Sequence, residues 1–508
     1  MQKGFTVLFT CLFFFGVSVR AQTTPDAGTG IGLFSALTGG DTLRINIHDA
    51  IFTALENNPT VTIQRLEPDI SRTYSKEQVS VFDPQITLSG NKTKSENQRF
   101  LGTQRQAVNL KSDNTKYSLG ITEFLPTGTT ITANTSVTAA LSNIYTDQYS
   151  GIVGFSITQS LLQGFGTGVN LANLRKANLD VEISKAELRA VAEEIVASVE
   201  NAYWNVYLSQ EEVNIERTSL DLANRQLDES LERVKVGNLP ELELAAVRAE
   251  VATRKEALID AESKLEQSRL DFIFYLNPKE RSARWSIPVP LERPFVPTDT
   301  LDTVVVHEEL GLKYRADLQQ ARYSLKKGEL EVVLTKNGLL PKLDFMFSFG
   351  RNAYAQTYRS GLPDTNSPFF DMTQNLTLGL PLTNQKARAQ YARAKHSRRQ
   401  MELSVKNMER MVQRDVRSAY IEVLRSKQQI TATQVARVLQ EKNLDAELEK
   451  FRVGKSTNYL VLQAQRDYIS SQRDEARSMV SYLNALVNLQ LMEGTLLDRR
   501  GIASIPEL

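Results

Sequence analysis

Cysteine is almost missing from this chain: Cys11 is the one example in 508 residues, and it falls inside an N-terminal leader. The chain beyond the leader can form no disulfide and carry out no thiol chemistry. Long apolar runs are also missing. After the first 21 residues none approaches the 18 or so that a spanning helix needs, so a mature chain that crosses a membrane must do so as a β-barrel. Neither sign of charge is in excess. The 60 Lys and Arg against 59 Asp and Glu leave a net +1, which gives no electrostatic basis for a nucleic-acid or acidic-membrane partner. The three histidines, His48, His307 and His396, have no second ligand at metal spacing. No phosphate loop, nucleophile elbow or paired-carboxylate motif stands out from the solvated charges. These absences predict no enzyme, no metal and no cofactor.

The first 21 residues read as a secretory signal peptide. Lys3 is the positive end, Phe5 to Val19 the apolar region, and Val19-Arg20-Ala21 the cleavage pattern, with Gln22 as first mature residue. A membrane anchor is a weaker reading, because the run is short and nothing stops transfer. Cys11 lies away from the cleavage point, which argues against a lipid-anchored N-terminus. Residues 22–42 are rich in Gly, Thr and Pro and read as a loose leader.

What the chain does have is a large internal repeat. Leu227 to Gly237 (LDESLERVKVG) returns as Leu444 to Gly454 (LDAELEKFRVG), 217 positions on. Upstream, Val199, Ala202, Tyr203 and Val206 lie over Val416, Ala419, Tyr420 and Val423 at the same offset. Each copy reads as the last turns of a long helix stopped by glycine. No Pro or Gly interrupts residues 169–236, and apolar residues recur there at three- and four-residue steps. This predicts a helix of about 100 Å, a rod that no compact globular domain needs. A second rod is predicted over 385–453, with shorter helices over 47–81 (broken at Pro59 and Pro68), 240–276, 302–339 and 456–493. Asn277 and Gly494 suit left-handed helix ends. In each half the two short helices together match the long one, which implies a rod-like layer of uniform height. Tyr203, Trp204 and Tyr207 read as bulky packing where the short helices meet.

Between the helices the period changes to two. Ile86 and Leu88, Leu119 and Ile121, Phe155 and Ile157, Phe345 and Phe347, and Leu376 and Leu378 alternate with Ser, Thr, Gly and other polar neighbours. One apolar and one polar face suits a membrane barrel, and on the strands alone a soluble sandwich fits equally well. The chain therefore divides into a signal peptide (1–21), a first repeat (22–277, strands about 84–160), a Pro-rich linker (278–300), a second repeat (301–494, strands about 342–381) and a tail (495–508). Pro84 to Ser160 spans 76 positions against 40 from Pro341 to Pro381. The 36 extra residues (76 − 40) predict one additional hairpin in the first half, containing strands near 115–125 and 129–140.

In this order, twice over, these features resemble the TolC family of outer-membrane efflux proteins. The resemblance rests on the duplicated helix–strand–strand–helix–helix order, the two Val-Gly helix turns, the strand-to-helix entries from Gln159 to Gly166 and Leu380 to Ala389, and the Ala-Leu-Glu-Asn-Asn segment ending at Pro59. It implies a mixed α + β membrane protein: a homotrimer with a β-barrel in the outer-membrane lipid of a Gram-negative bacterium, continued by a long α-helical barrel in the periplasm. Family members usually give four strands per chain and a twelve-stranded barrel. Here the extra hairpin leaves the count open: six strands per chain would make eighteen, or the hairpin folds outside the wall or within the lumen and twelve remain.

The resemblance also implies where function sits. A periplasmic adaptor protein would dock on the two helix turns, Val236, Gly237, Asn238 and Leu239, and Val453, Gly454, Lys455 and Ser456. The entrance would be lined near Glu241, Glu243, Asn458, Leu460 and Gln463. Acidic residues are often found six and nine positions after the second glycine in this family, and Leu460 and Gln463 depart from that. Ser456 stands where a latch-forming Arg can occur, so Asn238 and Asn458 are expected to supply neutral hydrogen bonds instead. A ring of Glu243 could favour cations, and a helix-start glutamate favoured by the dipole is an equal reading. The implied function is the exit duct of a tripartite pump, driven by an inner-membrane RND or ABC transporter. The alternatives are the outer-membrane part of type I protein secretion and, in a different class, a non-conducting coiled-coil spacer.

Overall fold

A computed structural model describes residues 42–100, 107–143, 146–237, 240–279, 286–296, 301–355 and 368–502. The segment read as a signal peptide and most of the expected leader lie outside the described residues. Strand β1 (Thr42–Ile45) leads into helix α1 (Ile47–Asn57), capped by Asn46, whose Oδ1 accepts from the Asp49 N–H at 2.7 Å. The chain then breaks at Asn58. Its side chain caps α2 (Pro59–Val79) by accepting from the Thr60 N–H at 2.9 Å, and Pro59 occupies the first helical turn. The second expected break does not occur: Pro68 is buried inside α2.

Four strands come next, β2 (Gln85–Phe100), β3 (Ala107–Leu125), β4 (Thr129–Ser142) and β5 (Gln148–Ser160). After the short α3 (Thr167–Asn170) comes α4 (Ala172–Lys235), 64 residues or about 96 Å long. Then come α5 (Leu244–Leu276) and β6 (Ile287–Pro290). The second repeat gives α6 (Val304–Tyr314), α7 (Ala316–Asn337), β7 (Lys342–Ala355), β8 (Phe370–Gly379), α8 (Gln385–Arg452) and α9 (Asn458–Glu493), followed by α10 (Leu496–Arg499).

Three further features differ from the sequence reading. The helix expected over 302–339 is two helices, interrupted at Arg315, whose extended backbone (φ −60°, ψ 121°) matches that of Asn58 (φ −69°, ψ 123°). The breaks are bridged alike: Arg65 donates to the Leu55 carbonyl at 3.1 Å and Arg322 to the Leu312 carbonyl at 3.0 Å. These breaks are 257 positions apart (315 − 58) and the turn glycines 217 (454 − 237), so the first repeat carries 40 extra residues rather than 36. Finally, the Pro-rich linker contains a strand, β6, which pairs in parallel with β1.

The helices form one layer of four columns. On α4, α2 packs along the sheet-proximal stretch and α5 along the distal stretch. On α8, α7 and α9 do the same. The column order is α2/α5, α4, α7/α9, α8. Helices of 11, 21 and 33 residues (α1, α2 and α5) thus stand beside the 64 of α4, and helices of 11, 22 and 36 (α6, α7 and α9) beside the 68 of α8. Where the short helices meet, the apolar core is thickest. Ile51, Tyr203, Phe272, Leu276, Leu318, Leu489 and Leu496 are all fully buried there. Tyr203 meets Trp204 and Phe272 edge to face, at 5.1 and 5.8 Å between ring centroids.

The other six strands form one antiparallel sheet in the order β2-β3-β4-β5-β7-β8. Its register puts Ile86, Ile121, Ala133, Phe155, Phe349 and Met372 in one row on one face, and Thr122, Thr132, Ser156, Ser348 and Thr373 in an adjacent row on the other. Beyond Ser112, which pairs with the end of β4 at Ser142, the β2–β3 hairpin runs on alone to the Phe100–Ala107 pair. Among the described residues no helix is long and apolar enough to cross a membrane.

Candidate functional site

The end of the helical layer away from the sheet is built from two turns of the same kind. α4 ends on Val236 with Gly237 left-handed (φ 76°), and α8 on Val453 with Gly454 left-handed (φ 73°). The Gly237 N–H reaches the Val234 carbonyl at 3.0 Å, and the Gly454 N–H the Phe451 carbonyl at 3.1 Å. The Lys455 N–H closes the second turn on the Lys450 carbonyl at 2.8 Å, completing a Schellman motif. The valine beside each glycine is left bare, Val236 at 68% and Val453 at 67% exposure. Asn238 and Leu239 lie outside the described residues. Lys455 is exposed, and Ser456 donates to Glu447 at 2.8 Å.

The two turns sit side by side. The Arg233 guanidinium lies 4.3 Å from the centroid of the Phe451 ring and donates to the Phe451 carbonyl at 3.4 Å. Asn458, at the start of α9, is buried between the repeats. Its Oδ1 accepts from Gln226 at 3.0 Å, and its Nδ2 reaches Glu243 at 3.4 Å. Of the expected entrance residues, the structure therefore joins Glu243 to Asn458. Glu241, Leu460 and Gln463 are exposed and separate from that pair.

Charged ties between the repeats lie deeper in the layer, and sequence reading missed them. Arg466 on α9 donates to the buried Glu250 of α5 at 2.6 Å, and Arg254 donates to the same carboxylate at 2.7 Å. Arg477 and Lys264 bind Glu212 of α4 at 2.9 and 2.7 Å. Burial pushes both carboxyls up. Their hydrogen bonds to Arg466 and Arg254, and to Lys264 and Arg477, outweigh it and hold both below the usual carboxylate range. The available signal was polar periodicity: Ser209, Glu212, Glu216, Ser219, Gln226 and Ser230 recur at helical steps along α4, and all are buried.

The sheet forms the other half of the site. Its polar face is mainly hydroxyl, amide and glycine, cross-linked by pairs such as Ser89–Ser118 at 2.6 Å and Thr122–Thr132 at 3.3 Å. Lys116, Lys342, Asp344 and Asp371 are the charged residues on that face among those whose side chains are described. A strand set with one lipid-compatible face and one hydroxylated face can wall a water-filled passage. Among the described residues no cluster of His, Cys, Asp or Glu could hold a metal ion.

An amphipathic antiparallel sheet continued by a tall layer of helices defines an outer-membrane channel protein. The sequence profile described as outer membrane efflux protein matches residues 50–277 and 309–495, and the chain belongs to that family. It is similar to the pyoverdine export outer membrane protein OpmQ of Pseudomonas aeruginosa, with 24% identity over 347 residues, covering 66% of this chain and 69% of OpmQ. The CmeC outer membrane channel of Campylobacter jejuni superposes with a TM-score of 0.63 at 14% identity, covering 94% of each chain. The open-state MtrE outer membrane channel of Neisseria gonorrhoeae gives 0.63 at 16% identity, covering 89% of each. The protein is an outer-membrane efflux channel of a Gram-negative bacterium, and the family is one of channels rather than enzymes.

Proposed function

We propose that this chain, as a homotrimer, is the passive exit duct of a tripartite efflux pump. Energy comes from an inner-membrane RND or ABC transporter, and a periplasmic adaptor links the two. The observation that carries this reading is the pair of bare valines beside the two left-handed glycines, at the end of the layer farthest from the sheet. Two bare valines on neighbouring rigid turns offer a partner more than the isolated exposed apolar residue common on any surface. Val236, Gly237, Asn238 and Leu239, and Val453, Gly454, Lys455 and Ser456, form the adaptor-contact turns. Glu241, Glu243, Asn458, Leu460 and Gln463 belong to the entrance, where the Glu243–Asn458–Gln226 chain ties one repeat to the other.

The mass of the detergent-purified protein, by light scattering corrected for bound detergent, tests the assembly. Three chains are expected; a stable monomer overturns the channel, since six strands cannot enclose a pore. The docking surface is tested by Val236→Asp combined with Val453→Asp. The trimer is expected to persist while efflux in cells and cross-linking to the adaptor fall at least tenfold. Unchanged efflux would remove the turns from the interface.

A further inference from the structure

The β3–β4 hairpin, the surplus of the first repeat, is paired on both sides within the six-stranded sheet. We infer that β8 of one copy pairs with β2 of the next, so that all six strands stand in the wall and three copies close an eighteen-stranded barrel. This rests on the trimeric channel reading and goes beyond it, because the family resemblance implies twelve.

Four observations support it. First, among the described residues β2 and β8 are the two open edges of the sheet. Ile86 and Leu88 on one edge, and Met372, Leu376 and Leu378 on the other, lie on the apolar face. An open edge in hydrocarbon leaves its N–H and C=O groups without partners, which lipid does not tolerate. Second, five antiparallel steps separate β2 from β8. The two edges therefore run in opposite directions, and a joint between copies continues the same antiparallel ladder.

Third, the helical layer is open on the same two sides. α2 leads into β2, and β8 leads into α8, so each edge strand is continuous with an edge column. Those columns carry bare apolar stripes: Ile63, Leu66 and Ile70 on α2, and Leu403, Ile421 and Leu439 on α8. One rotation from copy to copy covers both the strand edges and the helix stripes. Fourth, the widths agree. Six strands about 4.8 Å apart and tilted about 40° occupy roughly 38 Å of arc. Four helix columns about 9 Å apart occupy roughly 36 Å, whereas four strands would occupy only roughly 25 Å. Eighteen strands give a ring roughly 36 Å across between backbones, against roughly 24 Å for twelve.

The single cysteine, Cys11, lies in the segment read as a signal peptide, so placed cysteines report without a background once Cys11 is gone or replaced. Leu376→Cys on β8 is combined in turn with Ile86→Cys, Leu88→Cys and Gly90→Cys on β2, and oxidised in outer-membrane preparations. Leu119→Cys with Thr135→Cys, partners within one sheet, is the intramolecular control. Covalent dimers and trimers are expected from at least one β8–β2 combination. Two results overturn the inference: bonding of Leu376→Cys to Val137→Cys on β4 of the neighbour, which means twelve strands with the β2–β3 hairpin outside the wall, or a trimeric mass with no bond between copies while the control pair forms. A monomeric mass instead overturns the channel reading itself. End-on electron cryo-microscopy of the unmodified trimer is the second readout, with a ring about 1.5 times the twelve-strand diameter expected and the narrower ring contradicting it.

Discussion

The two repeats build the same junction from different residues. In the first, α5 ends on Asn277, left-handed at φ 40°, whose Nδ2 donates to the Asn57 carbonyl at 2.8 Å, beside the α1–α2 break. In the second, α9 ends on Gly494, left-handed at φ 69°, against the α6–α7 break. A Cβ there would stand 2.9 Å from the Arg315 Cα and 3.0 Å from the Tyr314 carbonyl carbon. One junction is filled by an amide, and the other closes by having nothing to fill it. Equal column heights require a helix end to meet a helix break in each repeat. The residue that serves depends on how closely the two backbones approach.

Exchanging the two solutions should break this comparison most severely. Gly494→Asn keeps a residue that tolerates the left-handed backbone but places a Cβ against Arg315. It should cost on the order of 3 kcal/mol, read as loss of helical circular dichroism at lower temperature in detergent. The reverse change, Asn277→Gly, removes one hydrogen bond and should cost about 1 kcal/mol. Equal losses would mean that the backbone approach at Gly494 does not decide which residue serves there.

The next effect concerns the ties between repeats. Glu250→Gln leaves Arg254 and Arg466 without their carboxylate. With Arg466 more than half exposed, the loss should be about 2 kcal/mol. The folded Glu212 and Glu250 are held below the ordinary glutamate value, so their contribution is complete above about pH 4.5 and is lost as pH falls through the depressed values. Melting at pH 7 and pH 3.5 should differ less in the Glu250→Gln variant than in the parent. An equal difference would remove this carboxylate from the acid response.

Where the repeats agree, the effects should agree. Gly237→Ala and Gly454→Ala meet open space and cost only the strain of the left-handed backbone, about 1 kcal/mol each. Hydrogen exchange in the last turns of α4 and α8 should rise by similar factors; a rise in one alone would show that the turns are not equivalent. The smallest contrast is between the matched tyrosines. The buried Tyr203 hydroxyl accepts from the Glu292 N–H at 3.1 Å and donates to the Ile45 carbonyl at 3.4 Å, whereas Tyr420 makes one exposed bond to the Asp302 carbonyl at 3.2 Å. Tyr203→Phe should cost about 1 kcal/mol and Tyr420→Phe less than about 0.5, and urea titration should rank them so.

Much of this architecture was legible because it is periodic. The duplicated turns, the long rods and the two-residue alternation of the strands are set by spacing alone. The break at Arg315 was hidden because its twin is marked by Pro59 and it carries no proline of its own. Strand β6 was hidden because four Pro-rich residues acquire strand geometry only by pairing with β1. The seam between the repeats was hidden for the opposite reason. Its buried Glu212 and Gln226 look like a solvated helix face, and it is Arg477 and Asn458, brought from 200 or more residues away, that help to offset the cost of burying them. At the far end, Glu243 was legible as a helix-start acid, while its link to Asn458 depends on how the second repeat is placed.

The hydroxylated face of the sheet has a consequence for selectivity. Ser, Thr, Asn and Gly offer water-like dipoles that reorient for any passenger, and they hold few fixed charges that would favour cations over anions. Such a corridor lubricates traffic without inspecting it. Whatever discrimination the duct has must be exercised elsewhere than along this face.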